Sequence, residues 1–377
     1  MILSILVVVL IAGIAIRQGS QGFFSGLIMA MLTLCCAAGA LNTYEWIGGQ
    51  WGVQLIGRWN PDYTLPITLA VLFTVPLVLL RLLFDRLIRR ACLLPAMVER
   101  VGGGLCGLLT ALTMVGVAAI CVQMVPFANG KVLGFSRVPA VNPLQQPPPP
   151  LPTDEKERNL WLSPDRFAAA VAALTSDGIF SGPHSFVKDH PDLVQAIAWN
   201  NATHPMVSRY APPHSIAVVE TAPVDRVYRV IEKSGRNEPK QTEYEPKDPP
   251  SGHEFRMVRV RLKDAARDAR RAHVFALRQF RLVGSNPSRH RVEQYHPIAI
   301  QQADASQPVN RHVVARKRGG TFWPVIYDIF SPRDDNNNEV EVVFELPTGF
   351  QPSFIEYKLG ARANVTFSER EASASPG

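Results

Sequence analysis

The chain has 377 residues, which is enough for two or three domains of ordinary size. Its formal net charge is +7 at pH 7, yet it contains no zinc-finger spacing or other nucleic-acid-binding signature. We therefore exclude nucleic acid as a partner and expect the positive charge to set a membrane topology and to suit an anionic surface.

The composition divides the chain into two parts. From Met1 to about Phe127 it consists mainly of Leu, Val, Ile, Ala and Gly, whereas from about Pro139 to Gly377 it has the charge density of a soluble protein. All 5 cysteines fall in the first part, and none forms a CxxC pair or stands beside a histidine. We therefore expect no metal, redox or cofactor site, and a second part that folds without disulfides.

Four apolar segments in the first part are long enough to cross a bilayer. A hydrocarbon core of about 30 Å requires roughly 20 apolar residues in a helix. The segments are Met1–Ile16, Gly22–Leu41, Leu65–Phe84 and Val101–Phe127. Prolines in the third segment are compatible with a membrane helix because neighbouring helices can satisfy the freed carbonyl groups. The sequence therefore predicts a bundle of four transmembrane helices.

The first segment also resembles a secretory signal peptide in length. Gly13 and Ala15 form a passable cleavage site. However, no Lys or Arg precedes the apolar run, and the first basic residue, Arg17, follows it. We expect this segment to be retained as a membrane helix, with cleavage as the alternative.

Basic residues in the short loops indicate the orientation. The loop between the third and fourth segments is the most basic one, and it carries Arg86, Arg89, Arg90 and Arg100. Because short cytoplasmic loops are enriched in Lys and Arg, we expect this loop to be cytoplasmic and to contact anionic lipid. The N-terminus, the Trp46–Asn60 loop and the whole second part are then extracytoplasmic.

Small residues recur four positions apart in the second and fourth segments. They are Gly22 and Gly26 in the second segment, and Gly103, Gly107 and Ala111 in the fourth. Such stripes let helix backbones approach closely. We expect them to pack the bundle, with an oligomer contact or a narrow pathway lining as the alternative. The spans contain no chain of ionisable residues typical of a proton relay, which argues against a proton-coupled pump.

These same segments resemble the colicin V production protein (CvpA) family of bacterial inner-membrane proteins. One shared feature is the layout of apolar segments with a short first loop. Another is the first turn, Gln21–Gly26, where the family usually has a basic residue, Gly and Phe. The third is the start of the last helix, in which Glu99, Arg100, Gly103 and Gly107 match the family pattern.

The resemblance covers about a third of the chain. Gln21 and Thr110 depart from it, since the family usually has basic residues there. It implies a membrane protein linked to toxin production or export and to envelope maintenance. It implies no particular reaction.

A proline-rich spacer follows the fourth segment. Pro139–Pro152 includes four consecutive prolines and is expected to form extended polyproline II structure that holds the next domain away from the bilayer. Ser163, Pro164 and Asp165 then resemble a helix start, with an N-cap, a first-turn proline and an acid near the helix dipole. A second short helix, capped by Asp189, is expected to follow.

Beyond Ala211 the pattern changes to strands without long helices between them. Val258, Val260 and Leu262 alternate with arginines, and Val340–Leu346 alternates with glutamates. Regular short strands of this kind predict an Ig-like β-sandwich. The expected strands are Ser215–Glu220, Arg226–Glu232, Phe255–Leu262, Ala272–Val283, Arg291–Ile300, Thr321–Ile329, Glu339–Leu346, Phe354–Leu359 and Ala361–Phe367. Ser234–Pro250 is predicted to be a loop.

The sequence offers no convincing active site. The 9 histidines include no HExxH and no pair at metal-ligand spacing. The oxygen-rich run Asp334–Asn338 could hold calcium but lacks the spacing of an EF-hand loop, so we interpret it as a solvated turn. The basic run Arg311–Arg318 is interpreted as a solvated strand edge, with a polyanion contact as the alternative. His204 and His214 are expected at the surface.

An extracytoplasmic trypsin-like protease is the most specific enzymatic alternative, since a CvpA-like module can be joined to one. That mechanism requires His, Asp and Ser, with a glycine-rich turn around the serine for the oxyanion hole. The chain has no Gly-Asp-Ser-Gly, and no serine of the strand region has glycine on both sides. We therefore do not expect a protease.

Together these patterns predict a multi-pass inner-membrane protein that is not an enzyme. The expected regions are a CvpA-like transmembrane domain (1–127), a proline-rich linker (128–160), short helices (161–210), a β-sandwich (211–367) and a disordered tail (368–377). The protein would act as a scaffold, or take part in export, through self-association or envelope protein partners bound by the β domain. A membrane-anchored hydrolase and an oligomeric channel or transporter remain alternatives.

Overall fold

The computed structural model of the protein describes residues 2–57, 60–87, 95–127, 132–137, 159–176, 185–201, 207–233, 241–267, 273–302, 317–318, 321–322, 326–329 and 338–367. The chain divides into two compact units. The helical unit comprises Met1–Val138 and Glu157–Ala198, and the strand unit comprises Pro139–Lys156 and Trp199–Gly377.

The helical unit is built on four long apolar helices. They are α1 (Ile2–Gly19), α2 (Phe23–Ile47), α3 (Thr64–Leu87) and α4 (Ala96–Met124). By length and composition all four can cross a membrane. This confirms the predicted set of four helices, although the boundaries differ from the predicted segments by several residues.

The chain between α2 and α3 is more helical than the predicted Trp46–Asn60 loop. A π-helical turn at Gly48–Gly52 and a helical extension at Val53–Leu55 prolong α2. A Cβ atom at Gly52 would lie 2.9 Å from Thr64 Cγ2, so the start of α3 packs directly against this prolongation. Glycine therefore permits the close approach that a larger side chain would block.

Glycine contacts define the directions of the helices. A Cβ atom at Gly103 would lie 3.0 Å from the carbonyl oxygen of Gly19, and one at Gly107 would lie 2.6 Å from that of Ala15. Residues later in α4 thus contact residues earlier in α1, so the two helices are antiparallel.

Helix α2 runs parallel to α4. The Phe23 ring lies against Gly102. A Cβ atom at Gly26 would lie 3.3 Å from Cys106 Cβ. The end of α3 lies near the start of α2, where Arg81 Nη2 donates to Ser25 Oγ at 3.1 Å. One end of the unit, the basic end, therefore holds Arg17, Arg86 and Arg100, and the opposite end holds Glu45 and Gln123.

Three shorter helices follow. They are α5 (Pro164–Ser176), α6 (Phe186–Asp189) and α7 (Leu193–Asn201). Helix α5 packs against α2 and α4, and a Cβ atom at Gly116 would overlap the carbonyl oxygen of Pro164. Residues 157–198 thus share a compact unit with the long helices, whereas the sequence suggests a separate region at 161–210.

The cap of the last short helix differs from the expectation. Asp189 is the final residue of α6 and does not begin α7. Instead Asp192 Oδ1 accepts a hydrogen bond from the Gln195 backbone N–H at 2.9 Å. This side chain satisfies one of the unpaired N–H groups of the first turn, as an N-cap does.

The strand unit contains two four-stranded antiparallel sheets. Sheet 1 has the order β1-β4-β12-β8, and sheet 2 has the order β14-β13-β6-β7. The strands are β1 (Ile216–Val224), β2 (Val227–Lys233), β3 (Gln241–Lys247), β4 (His253–Leu262), β5 (His273–Ala276), β6 (Phe280–Asn286), β7 (Arg291–Tyr295), β8 (Ala299–Gln302), β9 (Lys317–Arg318), β10 (Thr321–Phe322), β11 (Ile326–Ile329), β12 (Glu339–Pro347), β13 (Gln351–Tyr357) and β14 (Ala361–Asn364).

The two sheets contribute side chains to one hydrophobic core. Val258 and Val260 of β4 face this core from sheet 1, and Leu282 of β6 and Ile355 of β13 face it from sheet 2. All four are completely buried. The predicted alternation in β4 and β12 thus places Val258, Val260, Val340 and Val342 inward, as the period of two in a strand requires.

Several predicted strands and loops have other bounds in the structure. Strand β3 lies inside the predicted loop Ser234–Pro250 and pairs with β2. The predicted strand Ala272–Val283 is interrupted by a 3-10 turn at Leu277–Gln279, and Arg291–Ile300 is divided between β7 and β8. Pro297 lies between β7 and β8. It explains why the predicted strand is divided there, because proline lacks the backbone N–H that strand pairing needs.

Several predicted features lie outside the described residues. They are the spacer Pro139–Pro152, the run 334–337, residues 311–316, His204, Arg89, Arg90 and the tail 368–377. His214 is described and is exposed, as expected.

Candidate functional site

A buried polar cluster holds α5 at the end of α4. The Arg137 guanidinium pairs with the Asp165 carboxylate, and Asp165 Oδ2 also accepts from Gln123 Nε2 at 2.8 Å. Arg137 further donates from Nε to Gln123 Oε1 at 3.1 Å and from Nη1 to Asn159 Oδ1 at 2.8 Å. We call these four residues the polar clamp.

The charged pair of the polar clamp is buried. The Asp165 side chain has no exposed surface, and that of Arg137 is 2% exposed. A buried charge is tolerated only when it is paired and hydrogen-bonded, and here each carboxylate oxygen has a donor. The clamp thus fixes α5 to α4. Loss of either charged partner would lower the stability of the fold strongly, because the other charge would stay buried.

A second polar contact lies at the same end of the helical unit. His190, which follows α6, approaches Glu45 of α2 with Nε2 2.7 Å from Oε1. Tyr44 donates its hydroxyl hydrogen to the same carboxylate oxygen at 3.0 Å. The region after α4 is therefore tied to both α2 and α4.

Apolar side chains cover the outside of the long helices. Leu79 in the middle of α3 is 62% exposed and Leu105 of α4 is 65% exposed. Others with large exposed surface are Ile5, Val9, Met31, Val71, Val75, Leu82 and Leu108. An apolar belt of this extent on a folded protein suits contact with lipid and not with water.

The predicted helix-packing residues lie at contacts within the chain. Gly103 and Gly107 face α1, and Gly26 faces α4. Gly22 is the N-cap of α2 and has φ of 89°, a backbone conformation that favours glycine. Ala111 is fully buried in an apolar cluster with α1. The stripes are thus occupied by the chain's own helices.

Of the four arginines expected to set the topology, two are described. Arg86 lies in the last turn of α3, and Arg100 lies in the first turns of α4, so both are at the basic end. Arg81, one turn earlier in α3, pairs with Asp85 at 3.1 Å.

Charged pairs lie on part of the outer face of sheet 1, beside an apolar cluster that includes Met257 and Val343. Arg259 of β4 pairs with Glu341 of β12 at 2.8 Å and with Glu220 of β1 at 2.7 Å. Arg261 pairs with Glu339 at 2.6 Å. The outward residues of the predicted alternating strands therefore neutralise one another across the sheet.

Sheet 2 contains a deeply buried charge pair. Arg281 of β6 pairs with Glu356 of β13, and Arg362 of β14 donates to the other oxygen of Glu356 at 2.9 Å. Arg281 also donates to Gln294 Oε1 at 2.8 Å. The carboxylate is thus held by two guanidinium groups.

Glu293 of β7 accepts hydrogen bonds from four side chains. Tyr295 Oη and Asn286 Nδ2 donate to Oε2 at 2.5 and 2.7 Å, and Arg291 and Arg289 donate to Oε1 at 2.6 and 3.2 Å. Desolvation is the largest influence and raises the pKa, but the four hydrogen bonds together outweigh it and lower the pKa of Glu293 to about 2.

Arg278 is buried beside two aromatic rings. Its guanidinium carbon lies 4.8 Å from the centre of the Trp199 ring, and His296 stacks on the same ring at 5.1 Å. Desolvation lowers the pKa of Arg278 to about 9 and that of His296 to about 4. None of the three guanidinium nitrogens has a hydrogen-bond partner in the part of the chain that the structure describes.

Sequence reasoning missed the polar clamp. From the sequence, Asp165 is interpreted only as an acid near a helix dipole, and Arg137 lies in the predicted linker 128–160. No local signal pairs two residues on opposite sides of a proline-rich spacer. Within the described ranges, no group of three or more His, Cys, Asp or Glu side chains could hold a metal ion.

The comparisons with known proteins give no relative, because no family model, no curated protein and no solved structure matches this chain.

Proposed function

We propose that this protein is a multi-pass inner-membrane protein of CvpA type that holds a partner-binding β domain outside the cytoplasm. The observation that carries the proposal is that one chain contains two different units. One has four apolar helices with an apolar outer belt, and the other has two sheets around a core of its own. In this proposal the first unit anchors the protein and the second recognises a partner.

The orientation rests on the basic end of the helical unit. Arg17, Arg86 and Arg100 lie at that end, whereas the chain leaves α4 at the opposite end. Because Lys and Arg are retained on the cytoplasmic side, the basic end is cytoplasmic and the strand unit is extracytoplasmic.

The role of the strand unit is binding and not catalysis. The mutual neutralisation of Arg259, Glu341 and Glu220 suits a structural surface. We also propose that the strand unit is an Ig-like β-sandwich. The proposed partner is an envelope protein, and the proposed process is toxin export or envelope maintenance. The resemblance at Glu99, Arg100, Gly103 and Gly107 supports this process.

Cysteine labelling tests the orientation. In a chain whose 5 native cysteines are replaced, Ser251→Cys reports on the strand unit and Leu87→Cys on the basic end. Both positions are exposed, Leu87 to 68%. An impermeant maleimide should label S251C in intact spheroplasts and L87C only after permeabilisation. The reverse pattern would contradict the proposed orientation.

Complementation tests the role of the strand unit. Cells that lack the gene should show envelope sensitivity to detergent or a loss of toxin release. Expression of the full chain should reverse the defect. A chain that ends after residue 201 should insert but fail to complement. Full complementation by that shortened chain would mean that the strand unit is not the functional element.

A further inference from the structure

Large apolar side chains are exposed on the segment that follows α4. Trp161 is 51% exposed, Leu162 is 62% exposed and Leu174 is 81% exposed. Leu133, at the turn before this segment, is 50% exposed. A water-exposed connector gains nothing from such side chains, whereas a surface in contact with lipid does.

The position of α5 along α4 indicates its depth. Gly116, which contacts Pro164 and Ala168, lies two turns before the end of α4 at Met124. Glu99 and Arg100 are the last charged residues before the apolar part of α4, so its hydrocarbon-spanning part begins near Val101. From Val101 to Gly116 the helix rises about 22 Å. A hydrocarbon core of about 30 Å therefore extends roughly 8 Å beyond Gly116.

The polar groups of this segment are arranged as such a depth requires. The α5 backbone is helical, and the charged Asp165 points inward to the polar clamp, where it is paired. Ala168 and Ala172 are buried against the long helices. The exposed side of α5 carries Arg166, Ala170 and Leu174.

Arg166 is the charged residue on the exposed side of α5. It lies two helical turns from Leu174 on the same side of α5. A long arginine side chain near a membrane surface reaches toward the headgroups while its methylene groups stay in apolar surroundings. The same boundary region favours tryptophan, which is the residue found at 161.

We propose that Trp161–Ser176 is embedded in the interfacial layer of the bilayer, with Trp161, Leu162 and Leu174 in contact with lipid. The partner of this surface is thus the membrane itself, and α5 adds to the lipid-facing surface of the four long helices. The inference rests on the proposed function in one respect, which is that the four long helices cross the bilayer.

Quenching of Trp161 by lipid tests this inference. The full chain is reconstituted in vesicles of brominated phospholipid after the other five tryptophans (46, 51, 59, 199 and 323) are changed to Phe. Emission from Trp161 should fall to about half or less of that in unbrominated vesicles, with the strongest effect from bromine near the headgroups. Unchanged emission would overturn the proposal.

Two matched reporters separate the possible failures. In a chain with all six tryptophans replaced, Leu79→Trp places the reporter on the apolar belt and Val219→Trp places it on β1 of the strand unit. L79W should be quenched and V219W should not. If L79W is quenched and Trp161 is not, only the present inference fails. If neither is quenched, the proposed membrane function fails.

A labelling experiment covers the case in which the tryptophan-poor chain does not fold. In the cysteine-replaced full chain, Leu174→Cys should react with an impermeant maleimide at least about tenfold more slowly than Ser251→Cys, because water is scarce at the acyl boundary. Equal rates for the two positions would overturn the proposal.

Discussion

Two buried arginines of the strand unit, three positions apart, have opposite surroundings. Arg281 pairs with Glu356 and also donates to Gln294, whereas Arg278 is 3% exposed and lies over Trp199. Among the described residues, the Arg278 guanidinium has no hydrogen-bond partner. Removal of one member of a buried charge pair leaves the other member buried without its counter-charge. Removal of a buried charge that has no such partner leaves no uncompensated charge.

We therefore expect opposite effects from the same substitution at these two positions. Arg281→Met should lower the free energy of unfolding by about 3 kcal/mol, because Glu356 loses one of its two guanidinium partners. Arg278→Met should be neutral or stabilising, since it relieves the desolvation of a charge. Thermal unfolding of the purified full chain, followed by the far-UV signal of the strands, measures both. A larger loss for R278M than for R281M would contradict this account.

Glu293 predicts a pH dependence with a definite sign. Its pKa in the folded state is about 2, against an ordinary value of 4.5. A carboxylate whose pKa is lowered by folding stabilises the fold above its unfolded pKa, and this stabilisation is lost as the pH falls through the folded pKa. The contribution is therefore complete above about pH 4.5 and disappears toward pH 2.

Glu293→Gln should thus unfold at a lower temperature than the wild type at pH 6. The difference in Tm should shrink as the pH is lowered from 4.5 toward 2. Asp248→Asn, which alters a solvent-exposed pair with Arg226, is the control and should change the Tm little at either pH. A Tm difference for E293Q that is constant with pH would show that its hydrogen bonds do not act through ionisation.

At the scale of elements, the sequence predicted what one strand or helix shows by itself. The alternation in β4 placed Val258 inward and Arg259 outward, and both positions agree with the structure. The sequence did not predict that β12 pairs with β4, because register depends on contacts between distant residues. Strand β3 was missed because Glu243 and Glu245 lack the β-branched character of a typical strand.

The glycines of α4 give a matched pair of tests. A Cβ atom at Gly107 would lie 2.6 Å from the carbonyl oxygen of Ala15, whereas nothing lies within 4 Å of one at Gly104. Gly107→Ala should destabilise the helical unit by about 1–3 kcal/mol because α1 must move. Gly104→Ala should be neutral or stabilising, since alanine favours helix. Thermal stability in detergent measures both, and equal effects would argue against close packing at Gly107.

The polar clamp predicts a rescue by double substitution. Arg137→Met leaves the fully buried Asp165 carboxylate without its cation and should cost about 3–5 kcal/mol. Adding Asp165→Leu removes the stranded charge, so the double variant should be more stable than R137M alone. Thermal stability of the full chain in detergent is the measurement. Losses that simply add would mean that the two side chains act independently.

At the scale of the whole molecule, the division between apolar helices and strands was predictable because it follows from composition alone. The placement of α5 was not, because its contacts join segments on either side of the proline-rich spacer. The strand unit draws its core from Val258, Leu282, Val340 and Ile355, all of them its own residues. A unit with its own core can fold alone.

We therefore expect the fragment 199–377, expressed by itself, to be soluble. It should show the circular dichroism of antiparallel strands and a cooperative thermal transition. A fragment that aggregates, or that unfolds without a transition, would mean that the core of the strand unit is insufficient by itself.

The polar clamp also has a consequence for biosynthesis. Asp165 is made 28 residues after Arg137, and the spacer Pro139–Pro152 lies between them. When α4 has been synthesised, the groove that α5 will fill beside Gly116 is still empty, and Asp165 has not yet been made. The helical unit therefore completes its fold only after the chain beyond the spacer has emerged. A ribosome that stalls within the spacer would leave the four long helices in an immature state that quality-control proteases could recognise.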